Sequence, residues 1–387
     1  MNSLEKRILI ITMLGHSLCH INILIFAAAL RPIQQSLGIS LTQLTAIGTA
    51  GYLVYGLGAL PAGFLATRTS AKRTLMLFFT GTASAALVTG LAKSLPLFSA
   101  GLVCLGFFSS FYHVSGLSLI AQSIRQRGKA MGLHGVAGSA GVALAPFIAG
   151  LTLQFHNDWH LIYIVAAAPA ALAALLLLFD HHIPDAHPEP VSGTHDQDQS
   201  AFPVRIFIMV LLIMGINGLV YRGFMTTLPI YIQEHIHFSG ASRFTAGLVT
   251  TAILGIGMIG QYLGGHLSDR IRPVYLYLII IVLSLPWMAL MGVLHHVLFL
   301  AAAALFSLIH FSMQPVENHL IAALVPSRVV GSGYGWKFIV TFGVGSLATL
   351  MAGYISETIS MSAVFLALSG LIFLCSLAAL LISRLAE

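Results

Sequence analysis

Residues 8–30 read ILIITMLGHSLCHINILIFAAAL, a long apolar run that directly follows the basic pair Lys6 and Arg7. A helix needs about 20 mostly apolar residues to cross a bilayer, and this run is long enough. A secretory signal peptide has a shorter apolar region that ends in a small-residue cleavage site. We therefore expect the run to form an uncleaved first transmembrane helix.

The composition of the whole chain is typical of a membrane protein. Hydrophobic residues make up 57% of its 387 residues and charged residues only 8%, whereas soluble domains contain about 25% charged residues. The three cysteines lie inside apolar stretches and have no metal-type spacing. The net charge of +6 could indicate nucleic acid binding, but the basic residues lie between apolar runs. Membrane topology explains that placement better, so we expect no nucleic acid partner.

Reading the chain for further apolar runs predicts an all-α integral membrane protein with twelve transmembrane helices in two six-helix halves. The expected spans, numbered 1 to 12 from here on, are 7–31, 42–67, 72–92, 96–122, 128–153, 159–180, 203–232, 240–268, 272–295, 297–322, 331–356 and 360–384.

The distribution of lysine and arginine predicts the orientation. If the N-terminus is cytoplasmic, only Arg31, Lys93 and Arg243 face outward, while Arg222 and Lys337 lie inside spans. All other basic residues then face the cytoplasm, as the positive-inside rule requires. We expect a multi-pass protein of the cell inner membrane with both termini in the cytoplasm.

Residues 181–202 predict a cytoplasmic linker between an N-terminal half, 1–180, and a C-terminal half, 203–387. They are polar, contain prolines and histidines, and have no apolar helical face. The histidines at 181, 182, 187 and 195 either belong to a solvated linker or bind a metal loosely.

The two halves repeat at an offset of about 201 residues, so that His16 and His20 align with Asn217 and Tyr221. Segment 63–68 likewise aligns with 265–270. Repeats of six plus six helices are typical of transporters that bind their solute near the midplane, between the halves.

Segment 265–272, GHLSDRIR, resembles the signature loop of the major facilitator superfamily, which reads Gly-x-Leu-x-Asp-Arg before basic residues. The first copy of the loop has Thr67 in place of the Asp. This resemblance implies a monomeric transporter without a cofactor. It also implies a conformational latch at Arg68, Asp269 and Arg270.

Span 5 carries Gly132, Gly135, Gly138 and Gly141 at every third position, which predicts a smooth ridge for close helix contact. The run Gly135, Gly138, Gly141, Pro146 and Gly150 resembles a pattern of exporters that exchange substrate for protons, although the Gly-Pro pair of that pattern is not intact. The first half is also similar to the fosmidomycin-resistance exporters, although Val114 and His20 depart from that group. The residues that carry this similarity are Gly15-His16, Phe111-Tyr112-His113 and Arg127-Gly128.

A charged residue at the centre of a bilayer costs about 2.5–3.5 kcal/mol, so it is expected to face a cavity or a partner. Glu317 is the one carboxylate placed well inside a span, and Lys337 lies at a similar depth. They either form a structural pair, or Glu317 takes up a proton when the pair opens. Arg222 either extends to the membrane interface or holds an anionic substrate.

Histidines add a second group of candidates. His16 and His20 share one face of span 1, and the resemblance implies that spans 1, 4, 7 and 10 line the cavity. Histidine titrates near neutral pH, which suits proton transfer, and a pair four residues apart could instead hold a metal. The proton-coupling candidates are Glu317, His16, His20 and His113. The substrate-binding candidates are Arg222, Asn217, Tyr221, His310, Gln314, Asn318, Lys337, Tyr52, Tyr55 and His134, with Gln261 as a further polar contact.

These residues predict a secondary transporter that moves a small anionic or zwitterionic solute by alternating access, coupled to protons, with efflux favoured. One alternative is a carrier of a metal or metal chelate through His16, His20 and His113, although no resident metal is expected. Another is a membrane sensor that binds without transport. No nucleotide-binding loop or catalytic motif is present, so neither ATP hydrolysis nor an enzyme is expected.

Overall fold

The computed structural model describes residues 1–183, 204–236, 243–325 and 330–385, and all regular structure within these ranges is helical. Most of the predicted linker, including positions 187 and 195, lies outside the described residues. At the end of the first half, Asp180 binds Arg7, with Nη1 and Oδ2 3.2 Å apart. Burial would raise the pKa of Asp180, but hydrogen bonds from His182 and Arg7 hold it below its ordinary value.

The observed helices follow the predicted spans closely. Spans 1 to 6 are Ser3–Ala28, Leu41–Leu57 with Ala59–Arg68, Ala71–Gly90, Leu95–Ser123, Arg127–His156 and His160–Phe179. Spans 7 to 12 are Val204–His235, Arg243–Ser268, Pro273–Met291, His296–Phe311 with Met313–Leu324, Val330–Phe338 with Leu347–Thr358, and Met361–Leu385. A short helix, Leu30–Leu37, follows span 1.

Within the described ranges, eleven of these spans are long and apolar enough to cross a membrane. The remaining helix, span 3, has 20 residues, carries Lys72 and Arg73 in its first turn, and packs against spans 4 and 6. It occupies the place of a membrane helix in the bundle despite its less apolar sequence. Span 6 shows the outer apolar surface clearly, because Leu172, Leu176 and Phe179 are all more than half exposed. The chain is a multi-pass membrane protein.

Three spans predicted as continuous are interrupted. Span 2 breaks at Gly58, span 10 breaks at Ser312, and span 11 contains a π-helical turn, Ile339–Gly343, followed by a 3₁₀ turn. The π turn lies where two backbones cross, since a Cβ placed on Gly56 would be 2.3 Å from the backbone nitrogen of Gly343. Such turns occur frequently at functional sites, and this one borders the central cavity described below.

The glycine ridge of span 5 makes close contact over part of its predicted length. A Cβ on Gly138 would lie 2.3 Å from the His16 ring of span 1, and a Cβ on Gly141 would lie 2.3 Å from the Ser17 carbonyl oxygen. A Cβ on Gly132 or Gly135 would meet nothing within 4 Å. The first two glycines of the ridge therefore do not contact span 1, although His134 between them does, and Gly135 lines the central cavity instead.

A series of polar contacts joins spans 1–6 to spans 7–12 on the side opposite the N-terminus. Arg31 pairs with Glu234, and Arg243 binds Asn157. The Thr42 hydroxyl and backbone N–H both donate to Glu357, at 2.5 and 3.0 Å. These contacts hold the two groups of helices together at that end of the molecule.

Candidate functional site

A central cavity of about 840 Å³, including the open space at its mouth, lies among spans 1, 5, 7, 8, 10 and 11. It is the space between the two six-helix groups. Of the sequence-predicted residues, those that line it are His16, His20, Asn217, Tyr221, Gln261, His310, Gln314, Glu317 and Lys337. The aligned pairs His16/His20 and Asn217/Tyr221 thus reach one cavity from opposite groups of helices.

An ion pair lies in the cavity wall. Lys337 Nζ is 3.1 Å from Glu317 Oε2, and both side chains are less than a tenth exposed. Lys337 also donates to Asn318 Oδ1 at 2.7 Å. A buried ion pair is strongly destabilised when one partner is removed, because the other charge then remains uncompensated. The wall therefore holds a carboxylate and an ammonium group whose charges depend on each other.

A tyrosine of span 9 extends this network and was not predicted from the sequence. The Tyr277 hydroxyl donates to Glu317 Oε1 at 3.2 Å and accepts from Asn217 Nδ2 at 2.9 Å. Glu317 is therefore contacted from spans 9 and 11 at once. A tyrosine in an apolar span resembles an ordinary core residue, so only its packing against Glu317 reveals its role.

A histidine network forms the opposite wall. His16 Nδ1 lies 2.7 Å from the His134 carbonyl oxygen, so this nitrogen carries the proton and donates. His20 Nε2 is 3.2 Å from His16 Nε2. The Tyr112 hydroxyl donates to the Thr12 carbonyl, so His134 Nε2 donates to the Tyr112 oxygen at 2.6 Å. Because His16 carries its proton on Nδ1, its Nε2 is unprotonated and accepts from His20 Nε2–H.

His113 of span 4 lies beside these histidines, behind two aromatic residues that line the cavity. Its ring is 5.2 Å from His16 and 5.6 Å from His20 between centroids. It stacks on Phe338 and Phe342 of span 11, with interplanar angles of 18° and 19°. The π turn of span 11 therefore brings aromatic rings against the histidine network of the other group.

Arg222 is only 3% exposed, so it does not extend to the membrane interface. Its guanidinium carbon lies 3.9 Å from the centroid of the Tyr52 ring in span 2. Within the described residues, its Nη1 has no hydrogen-bond partner. A buried cation that lacks a carboxylate partner is costly, and an anion would satisfy it.

These features are those of a membrane transporter with a binding site between two repeats. The sequence model of the family named Major Facilitator Superfamily matches residues 12–349 and 210–386 of this chain. The chain belongs to this superfamily. It is therefore a transporter and not an enzyme.

Solved structures of major facilitator transporters share the whole fold. A bacterial homologue of the human lysosomal transporter Spinster, inward-facing and occupied, matches with a TM-score of 0.81 and 16% identity, over 99% of this chain and 98% of that one. A D-xylose–proton symporter matches with a TM-score of 0.79 and 14% identity, over 97% and 96%. At these identities the likeness concerns the fold alone.

A curated relative matches over part of its length. The methylenomycin A resistance protein of Bacillus subtilis (strain 168) is 27% identical over 172 residues, which are 44% of this chain. The matched segment spans 36% of that relative.

Four of the predicted substrate-binding residues lie beside the cavity of this transporter without lining it. Tyr52 covers Arg222, Tyr55 bonds His113 at 2.9 Å, and His134 holds His16 through its carbonyl oxygen. Asn318 accepts from Lys337 and, through its backbone, from Tyr334. These four residues position neighbours of the cavity through side-chain or backbone contacts with other spans.

The latch that the resemblance implies stays a prediction, and the structure shows only where its residues lie. Arg68 lies over the Phe64 ring of its own span, 3.9 Å from the centroid. Asp269 and Arg270 are exposed, and the structure gives Asp269 no ion pair within its described ranges. The contacts between the two groups at Glu234, Asn157 and Glu357 were not predicted.

Proposed function

We propose that this transporter moves a small zwitterionic or anionic solute through the central cavity, coupled to protons, and that a zwitterionic solute is exported in exchange for them. The observation that carries the proposal is the Glu317–Lys337 pair in the cavity wall, 3.1 Å apart. A zwitterion can replace each partner, with its cationic group on Glu317 and its anionic group on Lys337.

Arg222 supports an anionic group in the solute. It adds a second buried cation next in sequence to Tyr221, which lines the cavity, and Tyr52 covers its face. Tyr52 belongs to the other group of helices, so separation of the groups on that side would uncover the guanidinium. The solute would therefore meet Lys337 in one conformation and Arg222 in another during alternating access. Because its affinity then differs between the two conformations, binding shifts the equilibrium between them.

Glu317 is the proposed proton carrier. The groups that face it are Lys337 from span 11, Tyr277 from span 9, Asn217 from span 7 and Cys375 from span 12. A proton on Glu317 removes the charge that would hold the cationic group of a zwitterion. Proton and solute then compete for one site, and such competition is the requirement for exchange.

Export is supported by the partial likeness to a protein named for antibiotic resistance. It is also supported by the resemblance of span 5 to proton-exchanging exporters. A purely anionic solute would bind together with the proton on Glu317 and would move in the same direction as the proton. The sign of proton movement therefore separates the two solute classes.

The test uses proteoliposomes that contain the full chain and an internal pH-sensitive dye. Small amino acids, carboxylates and phosphonates are added outside in turn. Exchange makes the lumen alkaline when the correct solute enters, whereas co-transport makes it acidic. We expect alkalinisation that Glu317→Gln abolishes and that the loop variant Asp158→Asn retains.

Two outcomes would contradict the proposal. Solute entry without any pH change would remove proton coupling and leave a uniporter or a solute exchanger. Saturable binding without solute movement would instead favour the sensor alternative.

A further inference from the structure

Three histidines from two spans meet at one wall of the cavity. His16 and His20 stand one turn apart on span 1, and His113 approaches from span 4. Each histidine offers one ring nitrogen to this cluster, and the three nitrogens all lie within 4.8 Å of one another. Each residue is less than a tenth exposed, and two of them line the cavity.

The separation of two of these nitrogens matches the spacing of metal ligands. Zinc binds imidazole nitrogen at about 2.0–2.1 Å in a tetrahedron, which places the ligand atoms about 3.3 Å apart. The Nε2 atoms of His16 and His20 are 3.2 Å apart, joined by a hydrogen bond from His20 to His16, and a metal ion would take the place of that proton once His20 carries its proton on Nδ1. A metal ion bound by all three requires the His113 ring nitrogen to approach the pair, from within 4.8 Å to about 3.3 Å.

His16 is already held in the form that binds a metal. Its Nδ1–H donates to the His134 carbonyl oxygen, so its Nε2 presents a lone pair. Metal-binding histidines almost always donate their other ring N–H in this way, which fixes both the tautomer and the ring orientation. Tyr112 fixes His134 in turn.

The donor set indicates the class of ion. Three imidazoles suit zinc, nickel or copper, whereas magnesium and calcium require oxygen ligands. Two further polar side chains lie beside the three histidines. Tyr55 bonds His113, and its Oη lies 3.7 Å from the Sγ of Cys19. Positive charges on Arg222 and Lys337 act on His20 and His113. These charges disfavour a bare cation and favour an anion as the fourth ligand.

We propose that His16, His20 and His113 bind one divalent transition-metal ion, with the fourth coordination position open to the central cavity. An anion in the cavity completes the coordination. This site does not depend on the exchange of a solute for protons at Glu317, so either proposal can fail alone.

The binding test uses the purified full chain in detergent, in a background in which His181, His182, His187 and His195 are replaced by alanine. This background removes the loose metal binding that a histidine-containing linker could give. Equilibrium dialysis against Zn²⁺, with Mg²⁺ as the control ion, measures the number of ions bound. We expect one Zn²⁺ and no Mg²⁺ per chain.

Two ligand variants and one matched control decide the assignment. His20→Gln and His113→Gln each remove a ligand and are expected to weaken Zn²⁺ binding more than about 100-fold, since even an outer partner of a ligand contributes 10–100-fold. His310→Gln removes a buried cavity histidine outside the trio and is expected to retain full affinity. Size-exclusion profiles establish that each variant is folded.

Cobalt gives a second readout, because Co²⁺ absorption bands report coordination by tetrahedral nitrogen ligands. We expect these bands in the background protein and in His310→Gln, and their loss in either ligand variant. Unchanged Zn²⁺ binding in His20→Gln and His113→Gln would overturn the site. A folded background protein that binds no Zn²⁺ would overturn it as well.

Discussion

The guanidinium of Arg222 lies against the face of the Tyr52 ring, 3.9 Å from its centroid, so a cation of span 7 is covered by an aromatic ring of span 2. The two residues belong to opposite groups of six helices. A cation over an aromatic face contributes about 0.5–2 kcal/mol, with the larger value where both groups are desolvated. This contact stabilises the conformation in which Arg222 is closed off.

Replacing Arg222 by glutamine tests its role with the solute. Hydrogen bonds to charged groups contribute about 1.5–3 kcal/mol, so loss of the cation is expected to raise the KM for an anionic group about 10- to 150-fold. The maximal rate is expected to change less. Initial rates of solute entry into proteoliposomes measure both quantities.

Tyr52 supplies the matched control. Tyr52→Phe removes only the hydroxyl and keeps the ring face that covers Arg222, so it is expected to leave KM and rate nearly unchanged. Tyr52→Leu removes the ring and is expected to loosen the closed conformation. Equal effects of the phenylalanine and leucine variants would show that the ring face does not matter.

Glu317 and Lys337 are expected to depend on each other for stability. Removing one partner of a buried ion pair costs about 3–5 kcal/mol, whereas replacing both by uncharged residues of similar size is often neutral. Lys337→Met alone is therefore expected to lower Tm more than Lys337→Met combined with Glu317→Gln. Thermal unfolding in detergent measures the difference.

The same variants separate a structural role from a functional one. The double variant is expected to regain the Tm of the wild type but not proton-coupled transport. If the double variant transports normally, the pair is structural and Glu317 is not the proton carrier.

Span limits were predictable from the sequence because the cost of burying polar groups in lipid acts residue by residue. The sequence also indicated Glu317, Lys337, His16 and His20, since polar residues in apolar spans are conspicuous. Tyr277 and the π turn at Ile339–Gly343 were not predictable. Both depend on which neighbouring helix packs against them, and hydropathy carries no such information.

Arg222 illustrates the same limit. Its position in span 7 was compatible with the membrane interface, and only the packing of span 2 against it shows that it is buried under Tyr52. The polar contacts at Glu234 and Glu357 were missed for a similar reason. Each lies near the end of a helix, where a charged residue is expected without any partner.

Span 5 provides a comparison between two glycines on one helix. A Cβ on Gly141 would lie 2.3 Å from the Ser17 carbonyl oxygen, while a Cβ on Gly132 would meet nothing within 4 Å. Gly141→Ala is expected to force spans 1 and 5 apart and lower Tm, at a cost of about 1–3 kcal/mol for overpacking. Gly132→Ala is expected to leave Tm within error. A similar Tm for both variants would contradict the close contact of these spans.

A disulfide between spans 2 and 11 would test whether the two groups must separate on the side opposite the N-terminus. A Cβ on Gly353 would lie 2.8 Å from the Thr45 Cβ, and disulfides form at Cβ separations of about 3.5–4.5 Å, so a small shift permits the bond. In a background without Cys19, Cys104 and Cys375, Thr45→Cys with Gly353→Cys is expected to crosslink under oxidation and stop transport. A reductant is expected to restore transport, because the disulfide is then broken and the helices can part again.

Each single cysteine variant should transport equally well before and after oxidation. Full transport by the crosslinked protein would mean that spans 2 and 11 stay together there, and alternating access would then require movement elsewhere in the bundle.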